Sequence, residues 1–403
     1  MLIAESIIVD PSHQKLFDHY VKLTKNRIKF TLQAFFIGNI ISLDMPPFLL
    51  KNHDIYDVLI ENKVFENQKF RNYFSTHSHP IILFEKKLIN NNSLVLGWYH
   101  PKELKKHVNG FRNGIIQRLH QLAVCQSNDY VRRLVLEEFS LQRLYQRTVG
   151  MEYENSPSFL LIGVGSIGSN LVHFLNGYNP FWTFVDNDIL KFENLGRHYL
   201  GPKYVGEFKA EGMKSFLALK NPLIDVRCYN NNILDILDNK LPEINNNDFI
   251  FSCLGEFNIE AYLGDYLSNG TITVPIFFLW VEPYLAGGHC LYIPPRTRKF
   301  SELFFDRLYR NDVIKPENYQ NENISLILKE SGCQSMYTPY AQIDVTLFLS
   351  ALFPWIDKII KSRDVNAQAF TWVGNLELLK EKGVTISPQF TDKKQGDVQK
   401  ITL

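Results

Sequence analysis

Apolar and polar positions follow different patterns on the two sides of residue 150. Before it, amphipathic stretches mix with apolar runs, and HPIILFEKKLINNNSLVLGWYH has the form of a β-hairpin. From residue 159, short apolar segments such as FLLIGV and FWTFVD alternate with amphipathic segments such as SIGSNLVHFLNG and GEFKAEGMKSFLALKN. This alternation predicts a doubly wound, mostly parallel α/β sheet, preceded by a separate α+β domain.

The chain is divided by the polar segment GMEYENSPS, which lies just after residue 149. We therefore predict an N-terminal recognition or linker domain at 1–150, an α/β domain at 151–385 and a polar tail at 386–403. The stretch YVRRLVLEEFSLQRLYQRTV is predicted to be a helix that closes the first domain. The charged, irregular residues 296–331 are predicted to form an excursion over the functional face of the sheet.

Composition excludes several classes of protein. The 403 residues carry a formal net charge of +1, which gives no basis for binding nucleic acid or an anionic membrane. Five widely spaced cysteines without a CxxC pair argue against a disulfide framework. The N-terminus has no signal-peptide pattern, and the most apolar run, VTLFLSALFPWIDKII, is too short to span a bilayer. These features predict a soluble cytoplasmic protein.

The segment GVGSIG places Gly163, Gly165 and Gly168 between a predicted strand and a predicted helix. Such a turn lets the backbone approach a phosphate, which the N–H groups of the helix N-terminus then bind. Asp186 ends the next predicted strand, where an acidic side chain can accept hydrogen bonds from ribose hydroxyls. The motif alone fits a nicotinamide or flavin dinucleotide, and three glycines can also serve only close packing.

The residues after Asp186 favour a different nucleotide. Asn194, Arg197 and Lys209 follow within a short stretch. An arginine and a lysine near the phosphates would neutralise charge that builds up on phosphorus and on departing pyrophosphate. This pattern indicates ATP attacked at its α-phosphate. The alternative is that the lysines are merely the solvated face of a helix.

The sequence VDNDILKFENLGRHYLGPKYVGEFK resembles the ThiF/MoeB/ubiquitin-activating superfamily. That family follows its glycine loop with D-x-D, N-L-x-R and V-G-x-x-K, and the later LKNPLIDVRCYNNNI resembles its next strand. The resemblance covers residues 158–380 and makes the domain at 151–385 a ThiF-type adenylation domain with a Rossmann-like fold. It implies Mg·ATP as the nucleotide.

The resemblance also implies roles for individual residues. The three glycines would line ATP, Asp186 and the neighbouring Asp188 of the D-x-D motif would lie at the nucleotide, and Asn194, Arg197 and Lys209 would contact the phosphates. Family members are homodimers that take a further arginine from the neighbouring subunit. The segment LQRLYQR offers Arg143 and Arg147 for this role, and the choice between them stays open.

Two departures from the family pattern concern metals. The family usually holds Mg²⁺ with an aspartate after its fourth strand, where this chain reads FSCLGEFN. Glu256 is the adjacent acid, and we assign it to Mg²⁺; it can equally be the first acidic residue of the next helix. Many relatives hold zinc with two CxxC pairs, whereas Cys290 stands alone, so we predict no zinc.

Some relatives transfer the activated carboxylate to a cysteine. Cys333, in KESGCQSMYTPYAQIDV, resembles the family's loop cysteine before its C-terminal helix and is the candidate nucleophile. The alternative is a loop cysteine in an enzyme that only adenylates. Cys228 and Cys253 read as small apolar core residues.

The forms RHYLG and TPYAQIDV resemble the bacterial antiphage (CBASS- or Bil-type) ubiquitin-activating-like branch, with the peptide-adenylating MccB-like branch second. We therefore expect ATP-dependent adenylation of the C-terminal carboxylate of a ubiquitin-like protein, with transfer to a conjugating enzyme as an extension. The alternatives are peptide adenylation in a microcin-like pathway, a silent nucleotide-binding scaffold and an NAD(P) oxidoreductase.

Overall fold

The computed structural model describes residues 7–8, 33–40, 50–87, 93–104, 120–135, 137–138, 145, 147, 156–221, 224–297, 300–320, 326, 328–329 and 336–403. These residues belong to two compact units, one containing the described residues up to 147 and the other those from 156 onwards.

The described part of the first unit contains a four-stranded sheet and two α-helices. Its elements are β1 (Phe35–Asn39), α1 (Asn52–Glu61), α2 (Gln68–Thr76), β2 (Ile81–Lys87), β3 (Ser93–Tyr99) and β4 (Arg132–Val135). The strands lie in the order β1-β2-β3-β4, with β1 and β2 parallel and the other pairs antiparallel. The predicted hairpin is therefore present as β2 and β3.

The prediction of a helix at 130–149 is wrong for Arg132–Val135, which form strand β4. Strand β4 pairs residue by residue with Leu96–Tyr99 of β3. The apolar spacing of this stretch fits a helix, but pairing with an otherwise open strand edge satisfies its backbone hydrogen bonds in the sheet. Tertiary pairing thus overrides the local pattern.

The second unit is built on an eight-stranded sheet. Its strands are β5 (Ser158–Ile162), β6 (Phe181–Val185), β7 (Val226–Tyr229), β8 (Phe249–Ser252), β9 (Ile276–Val281), β10 (Gly287–Ile293), β11 (Gln368–Val373) and β12 (Val398–Thr402). Its helices are α3 (Ser166–Leu175), α4 (Lys209–Lys220), α5 (Ile233–Asn245), α6 (Phe257–Ser268), α7 (Gln342–Ser362) and α8 (Leu376–Glu381).

The strands of this sheet lie in the order β12-β11-β10-β9-β8-β5-β6-β7. The neighbouring strands β9, β8, β5, β6 and β7 are parallel to one another. Strands β10, β11 and β12 continue the sheet beyond β9, and each pairs antiparallel with its neighbours. The predicted doubly wound, mostly parallel fold is confirmed. Because β6 and β7 continue on one side of β5 and β8 and β9 on the other, the chain changes direction between β5 and β8.

Both faces of this sheet are covered, as its strand sequences require. Phe159 and Leu161 of β5 pack with α3, α4 and α7, whereas Leu160 and Ile162 pack with α5 and α6. A strand whose side chains are buried on both faces reads as a continuous apolar run, and FLLI is such a run.

The predicted polar tail at 386–403 differs from the structure. Phe390 is fully buried, and Val398–Thr402 form the edge strand β12 beside β11. Val398 packs against the core on one face, and Ile401 and Leu403 pack on the other. An edge strand with one solvated face carries polar residues at alternate positions, so its sequence resembles that of a tail.

Among the described helices, none is long and apolar enough to cross a membrane.

Candidate functional site

A cleft of about 560 Å³ opens at the carboxyl ends of β5, β6 and β8. It lies where the chain changes direction between β5 and β8, which is where open parallel sheets bind their ligands. Its walls come from the loops that follow these strands, together with the residues that precede α7. All of these segments belong to the second unit.

The three glycines of the loop after β5 have different structural tasks. Gly163 has φ +86°, and a Cβ there would also meet the carbonyl of Cys253 at 3.0 Å. A Cβ on Gly168 would lie 2.0 Å from the carbonyl oxygen of Gly163, so α3 crosses the loop at a distance that only glycine permits. Gly165 faces open space in the cleft. Only Gly163 and Gly165 line the cleft; Gly168 serves packing.

The N-terminus of α3 points its first-turn N–H groups towards this loop. Gly165 precedes the helix, and the N–H groups of its first turn have no acceptor within the helix itself. Such groups and the helix dipole favour an anion. The open space at Gly165 gives a phosphate room to approach them.

Asp186 fixes the turn between β6 and the glycine loop. Its Oδ2 accepts the N–H of Val164 at 2.6 Å, and its Oδ1 accepts the N–H of Asp188 at 2.8 Å. Burial raises the pKa of Asp186, and the positive charge of Lys209 opposes that shift. Each carboxylate oxygen has a second lone pair, which can accept a hydroxyl of a bound sugar.

Lys209 is the first residue of α4, and it is held in place at both ends. Its backbone N–H donates to the carbonyl of Asp188, and its Nζ lies 2.6 Å from Asp188 Oδ2. The lysine side chain is 11% exposed, whereas that of Asp188 is 66% exposed. The ion pair therefore holds a mostly buried ammonium in the cleft wall, with its partner carboxylate remaining hydrated.

Arg197 lies in the loop between β6 and α4, and this loop is tied to α3. Ser166 Oγ and Asn170 Nδ2 both donate to the carbonyl of Arg197, at 3.2 and 3.0 Å. The guanidinium carbon lies 5.5 Å from the ring centroid of Tyr340, which is within cation–π range. These contacts hold Arg197 beside the glycine loop.

His198 and Asn194 shape the same loop. The Nε2 of His198 lies 2.8 Å from the carbonyl of Val164, and its Nδ1 accepts the N–H of Leu200, so the ring is neutral with its proton on Nε2. Burial lowers the pKa of His198 to about 4. Asn194 Oδ1 accepts the N–H of Lys191, which leaves its Nδ2 as the group that can donate to a ligand.

Two acidic residues with different surroundings follow β8, Glu256 just before α6 and Glu260 in the first turn of α6. Glu256 is exposed, lines the cleft and precedes α6. Glu260 is buried and accepts the hydroxyl of Ser252 at 2.9 Å and the N–H groups of Leu254 and Gly255. Burial raises the pKa of Glu260 to about 8. Glu260 thus holds the loop, and both interpretations of Glu256, metal ligand and helix-terminal acid, fit its position.

Three cysteines of the second unit are not activated: Cys253 and Cys290 are buried, and Cys228 is partly buried. Burial raises the pKa of Cys228 to about 12 and places those of Cys253 and Cys290 well above the ordinary thiol value. Cys253 and Cys290 pack within the core, and Cys228 donates to the carbonyl of Ala210. Each reads as a protonated packing residue.

The structure brings most of the predicted site residues together. Those that line the cleft are Gly163, Gly165, Asp186, Asp188, Asn194, Arg197, Lys209 and Glu256. Cys333 and Arg143 lie outside the described residues. Arg147 is described and its side chain is exposed. Tyr340 was not predicted, because its partner Arg197 is distant along the chain. Glu260 was not predicted either, because its burial depends on the fold, although its partners Ser252, Leu254 and Gly255 are near in sequence.

The cleft can bind a nucleotide with phosphates. It combines a glycine-bounded helix N-terminus, an acidic side chain at the end of the adjacent strand, and two fixed cations, Arg197 and Lys209. These are the features of a nucleotide-binding α/β domain. The sequence model of the ThiF family matches residues 142–294, which contain every one of these features, so the chain carries a ThiF-family domain.

Several solved structures are distantly similar to this chain. PaaA is 14% identical with a TM-score of 0.42, covering 65% of this chain and 67% of that protein. E. coli MccB with MccA-N7isoASN is 16% identical with a TM-score of 0.41, covering 57% and 63%. E. coli MccB with ATP is 16% identical with a TM-score of 0.37, covering 57% and 63%. The chain thus spans less than two thirds of MccB, and no curated protein sequence matches it.

Proposed function

We propose that this protein is an ATP-dependent adenylyltransferase that activates a substrate carboxylate. The observation that carries the proposal is the convergence of Arg197 and Lys209 on the cleft formed by the glycine loop and Asp186. A hydride carrier requires no such pair of cations beside its phosphates, whereas displacement at a phosphorus atom does. The ThiF-family match over the same residues supports an enzyme of the adenylyltransferase type.

The proposed reaction is a single in-line displacement. A carboxylate oxygen of the substrate forms a bond to the α-phosphorus of ATP, and the bond from that phosphorus to the bridging oxygen of pyrophosphate breaks. The products are an acyl-adenylate and pyrophosphate, and no bond to the protein forms. Arg197 and Lys209 stabilise the charge that develops on the phosphoryl oxygens and on pyrophosphate. Positioning and electrostatics therefore account for the rate.

Mg²⁺ is the cofactor that the family resemblance implies. The cleft offers oxygen donors of the type that Mg²⁺ prefers, and Glu256 is exposed at its edge without a described ion-pair partner. The donor set fits, with Glu256 as the proposed ligand. When bound with ATP, the ion would neutralise phosphate charge.

The proposed substrate is the C-terminal tail of a ubiquitin-like protein. This finer assignment is supported by the resemblance of RHYLG and TPYAQIDV to the antiphage branch. Its extension is transfer of the acyl group from AMP to the Cys333 thiolate, with AMP as the leaving group, and then to a conjugating enzyme. Peptide adenylation is the alternative, and both substrates present the same chemical group to the cleft.

Exchange of radiolabelled pyrophosphate into ATP tests adenylation. We expect exchange only with a protein or peptide whose C-terminal carboxylate is free, and none with the same peptide carrying a C-terminal amide. The response to ubiquitin-like proteins and to short peptides distinguishes the two substrate classes. ATP binding without exchange for any carboxylate would indicate the silent scaffold, and NAD(P)H turnover would indicate an oxidoreductase.

The role of Lys209 is tested with the variant Lys209→Ala and the matched control Lys214→Ala. We expect it to reduce exchange by about 10²–10³-fold, which is typical of removing one preorganised group that stabilises developing charge. Lys214→Ala changes the same residue type on the same helix outside the cleft and should retain exchange. Equal activity of the two variants would contradict the role of Lys209.

The thiol step is tested separately. Cys333→Ala should retain pyrophosphate exchange and lose any substrate adduct that dithiothreitol releases, because a thioester is cleaved by thiols. Cys125→Ser, at an exposed cysteine of the first unit, is the control. An adduct that persists in Cys333→Ala would place the nucleophile elsewhere.

A further inference from the structure

A second cluster of ionisable side chains lies beside the nucleotide cleft. Glu282 follows β9, His289 lies on β10, and Asp312 belongs to the segment 300–320 that leaves the sheet. Their relative exposures are 3%, 0% and 7%. The His289 Nε2 atom is 2.8 Å from Glu282 Oε1 and 3.6 Å from Asp312 Oδ1. Two carboxyl groups and an imidazole thus converge in the interior.

The imidazole of His289 is held in one orientation. Its Nδ1 lies 3.1 Å from the hydroxyl oxygen of Thr371 on β11. Trp280 stacks against one face of the ring, with centroids 5.1 Å apart, and Tyr309 packs against it edge-on at 5.2 Å. If Nδ1–H donates to Thr371, the Nε2 lone pair points at the two carboxyl groups. Histidines that ligate metals are usually oriented in this way through their other nitrogen.

The carboxyl groups of Glu282 and Asp312 differ in the hydrogen bonds that they accept. Glu282 accepts the N–H of Val313 on Oε1 at 2.6 Å and that of Ile314 on Oε2 at 2.7 Å. Asp312 Oδ2 accepts the N–H of Tyr309. Asp312 Oδ1 is buried and has no hydrogen-bond partner among the described residues. A buried carboxylate oxygen without a partner is costly, unless a group absent from the protein chain satisfies it.

Gly287 makes room for the cluster. A Cβ at this position would lie 2.2 Å from Glu282 Oε1 and 2.8 Å from His289 Nε2. Its backbone is at the start of β10, in extended conformation, so the glycine is required by space and not by an unusual φ. The neighbouring cavity of about 170 Å³ is lined by Glu282 and Asp312 and has room for water.

We propose that Glu282, His289 and Asp312 bind one divalent metal ion of the zinc and manganese class. Mixed imidazole and carboxylate donors suit these ions. Ligands about 2.0–2.2 Å from a tetrahedral ion are separated from one another by about 3.3–3.6 Å. The separation of 3.6 Å between His289 Nε2 and Asp312 Oδ1 falls in this range, and that of 2.8 Å between His289 Nε2 and Glu282 Oε1 is shorter. The ion would be coordinated by Asp312 Oδ1, and water in the cavity would complete its coordination.

The site would fasten a loop beside the nucleotide cleft. Its ligands join β9 and β10 to the segment 300–320, and the adjacent cavity shares Gly255, Trp280 and Val281 with the cleft. The ion therefore has a structural role in this proposal. The expectation that the protein holds no zinc concerns a site built from paired cysteines. The site proposed here uses only carboxylate and imidazole donors, so that expectation does not bear on it.

Metal content of the purified, untagged protein tests the proposal directly. After dialysis against metal-free buffer, we expect about one transition-metal ion per chain by mass spectrometry. Protein stripped with a chelator should unfold at a lower temperature and recover when Zn²⁺ or Mn²⁺ is added, with no recovery on Ca²⁺ or Mg²⁺. Wild-type protein that holds no metal and whose unfolding ignores Zn²⁺ and Mn²⁺ would overturn the proposal.

Asp312→Asn and Asp306→Asn form a matched pair of variants, because Asp306 lies six residues earlier in the same segment and is exposed. We expect metal affinity to fall about tenfold or more in Asp312→Asn and to stay unchanged in Asp306→Asn. Equal metal content in both would overturn the site. If Asp312→Asn does not fold, Co²⁺ substitution of the wild type decides: visible absorption of a nitrogen- and oxygen-ligated ion supports the site, and thiolate charge-transfer bands contradict it.

Discussion

Gly165 and Gly168 belong to one motif, but they constrain the protein in different ways. Gly165 has φ −79°, and a Cβ there meets open space in the cleft, whereas a Cβ on Gly168 collides with the carbonyl of Gly163. We expect Gly165→Ala to fold normally and to bind ATP at least tenfold more weakly, because the methyl group occupies phosphate space. Gly168→Ala should lower the free energy of unfolding by about 1–3 kcal/mol. Calorimetric ATP titration and urea unfolding measure the two effects.

Two results would contradict these expectations for Gly165 and Gly168. If Gly165→Ala binds ATP as tightly as the wild type, the phosphates do not pass this position. If Gly168→Ala is as stable as the wild type, the close crossing of α3 over the loop does not constrain the fold.

His198 makes the loop of Arg197 sensitive to acid. Its folded pKa of about 4 lies below the ordinary value of 6.5, so the folded state keeps the ring neutral while the unfolded chain takes up a proton. Since the unfolded state binds more protons in this window, stability falls as the pH falls from about 6.5 to about 4. The loss attributable to this residue is at most about 3 kcal/mol.

Urea unfolding of His198→Gln measures this contribution. Glutamine has a donor and an acceptor but does not titrate, so the difference in unfolding free energy between wild type and variant should shrink by about 2–3 kcal/mol from pH 7 to pH 4. His79→Gln, at an exposed histidine of the first unit, serves as the control variant. A constant difference between wild type and His198→Gln across this range would contradict the buried neutral ring.

The candidate site could be predicted from sequence wherever its residues lie on one continuous segment. The glycine loop and the residues up to Lys209 follow two neighbouring strands, so the known geometry of strand, turn and helix already brings them to one edge. Tyr340 could not be predicted in this way, because its contact with Arg197 joins residues 143 positions apart. The cluster of Glu282, His289 and Asp312 could not be predicted for the same reason, since Asp312 and Thr371 come close to Glu282 and His289 only through tertiary packing.

The secondary structure could likewise be predicted where the sequence of a segment itself determines its conformation, and not where pairing with a distant strand does. Among the parallel strands, β5, β8 and β9 are indicated most clearly, because both of their faces are largely buried and their sequences are nearly continuous apolar runs. The apolar spacing of β4 predicts a helix, and the polar composition around β12 predicts a tail. Both lie at the edges of sheets, where one face is solvated and pairing with a distant strand supplies the ordering energy.

Strand β12 is expected to contribute to stability. Removing residues 397–403 would expose the edge of β11 and the packing of Val398, Ile401 and Leu403. We expect the free energy of unfolding to fall by about 2–4 kcal/mol, from partly buried apolar side chains and lost pairing. An exposed strand edge also favours association, so light scattering should show a raised tendency to aggregate. Unchanged urea unfolding would mean that these residues do behave as a tail.

The proposed activity requires more than one subunit if an upstream arginine completes the site from a neighbouring chain. The family resemblance implies this arrangement and offers Arg147 or Arg143 for it, and size-exclusion chromatography with light scattering should then give the mass of a homodimer. Arg147→Ala and Lys209→Ala would each be inactive alone. In a mixed dimer, however, the subunit with Arg147→Ala keeps its own Lys209 and receives the intact arginine of its partner. One of the two sites is then complete.

Purified mixed dimers should therefore recover about half of wild-type pyrophosphate exchange, and random one-to-one mixtures about a quarter. The same experiment with Arg143→Ala decides between the two arginines, because only the variant of the shared residue is complemented by Lys209→Ala. An arginine that acts within its own chain gives no recovery, since each subunit of the mixed dimer then lacks one required group. A monomer with full exchange activity would exclude a shared site altogether.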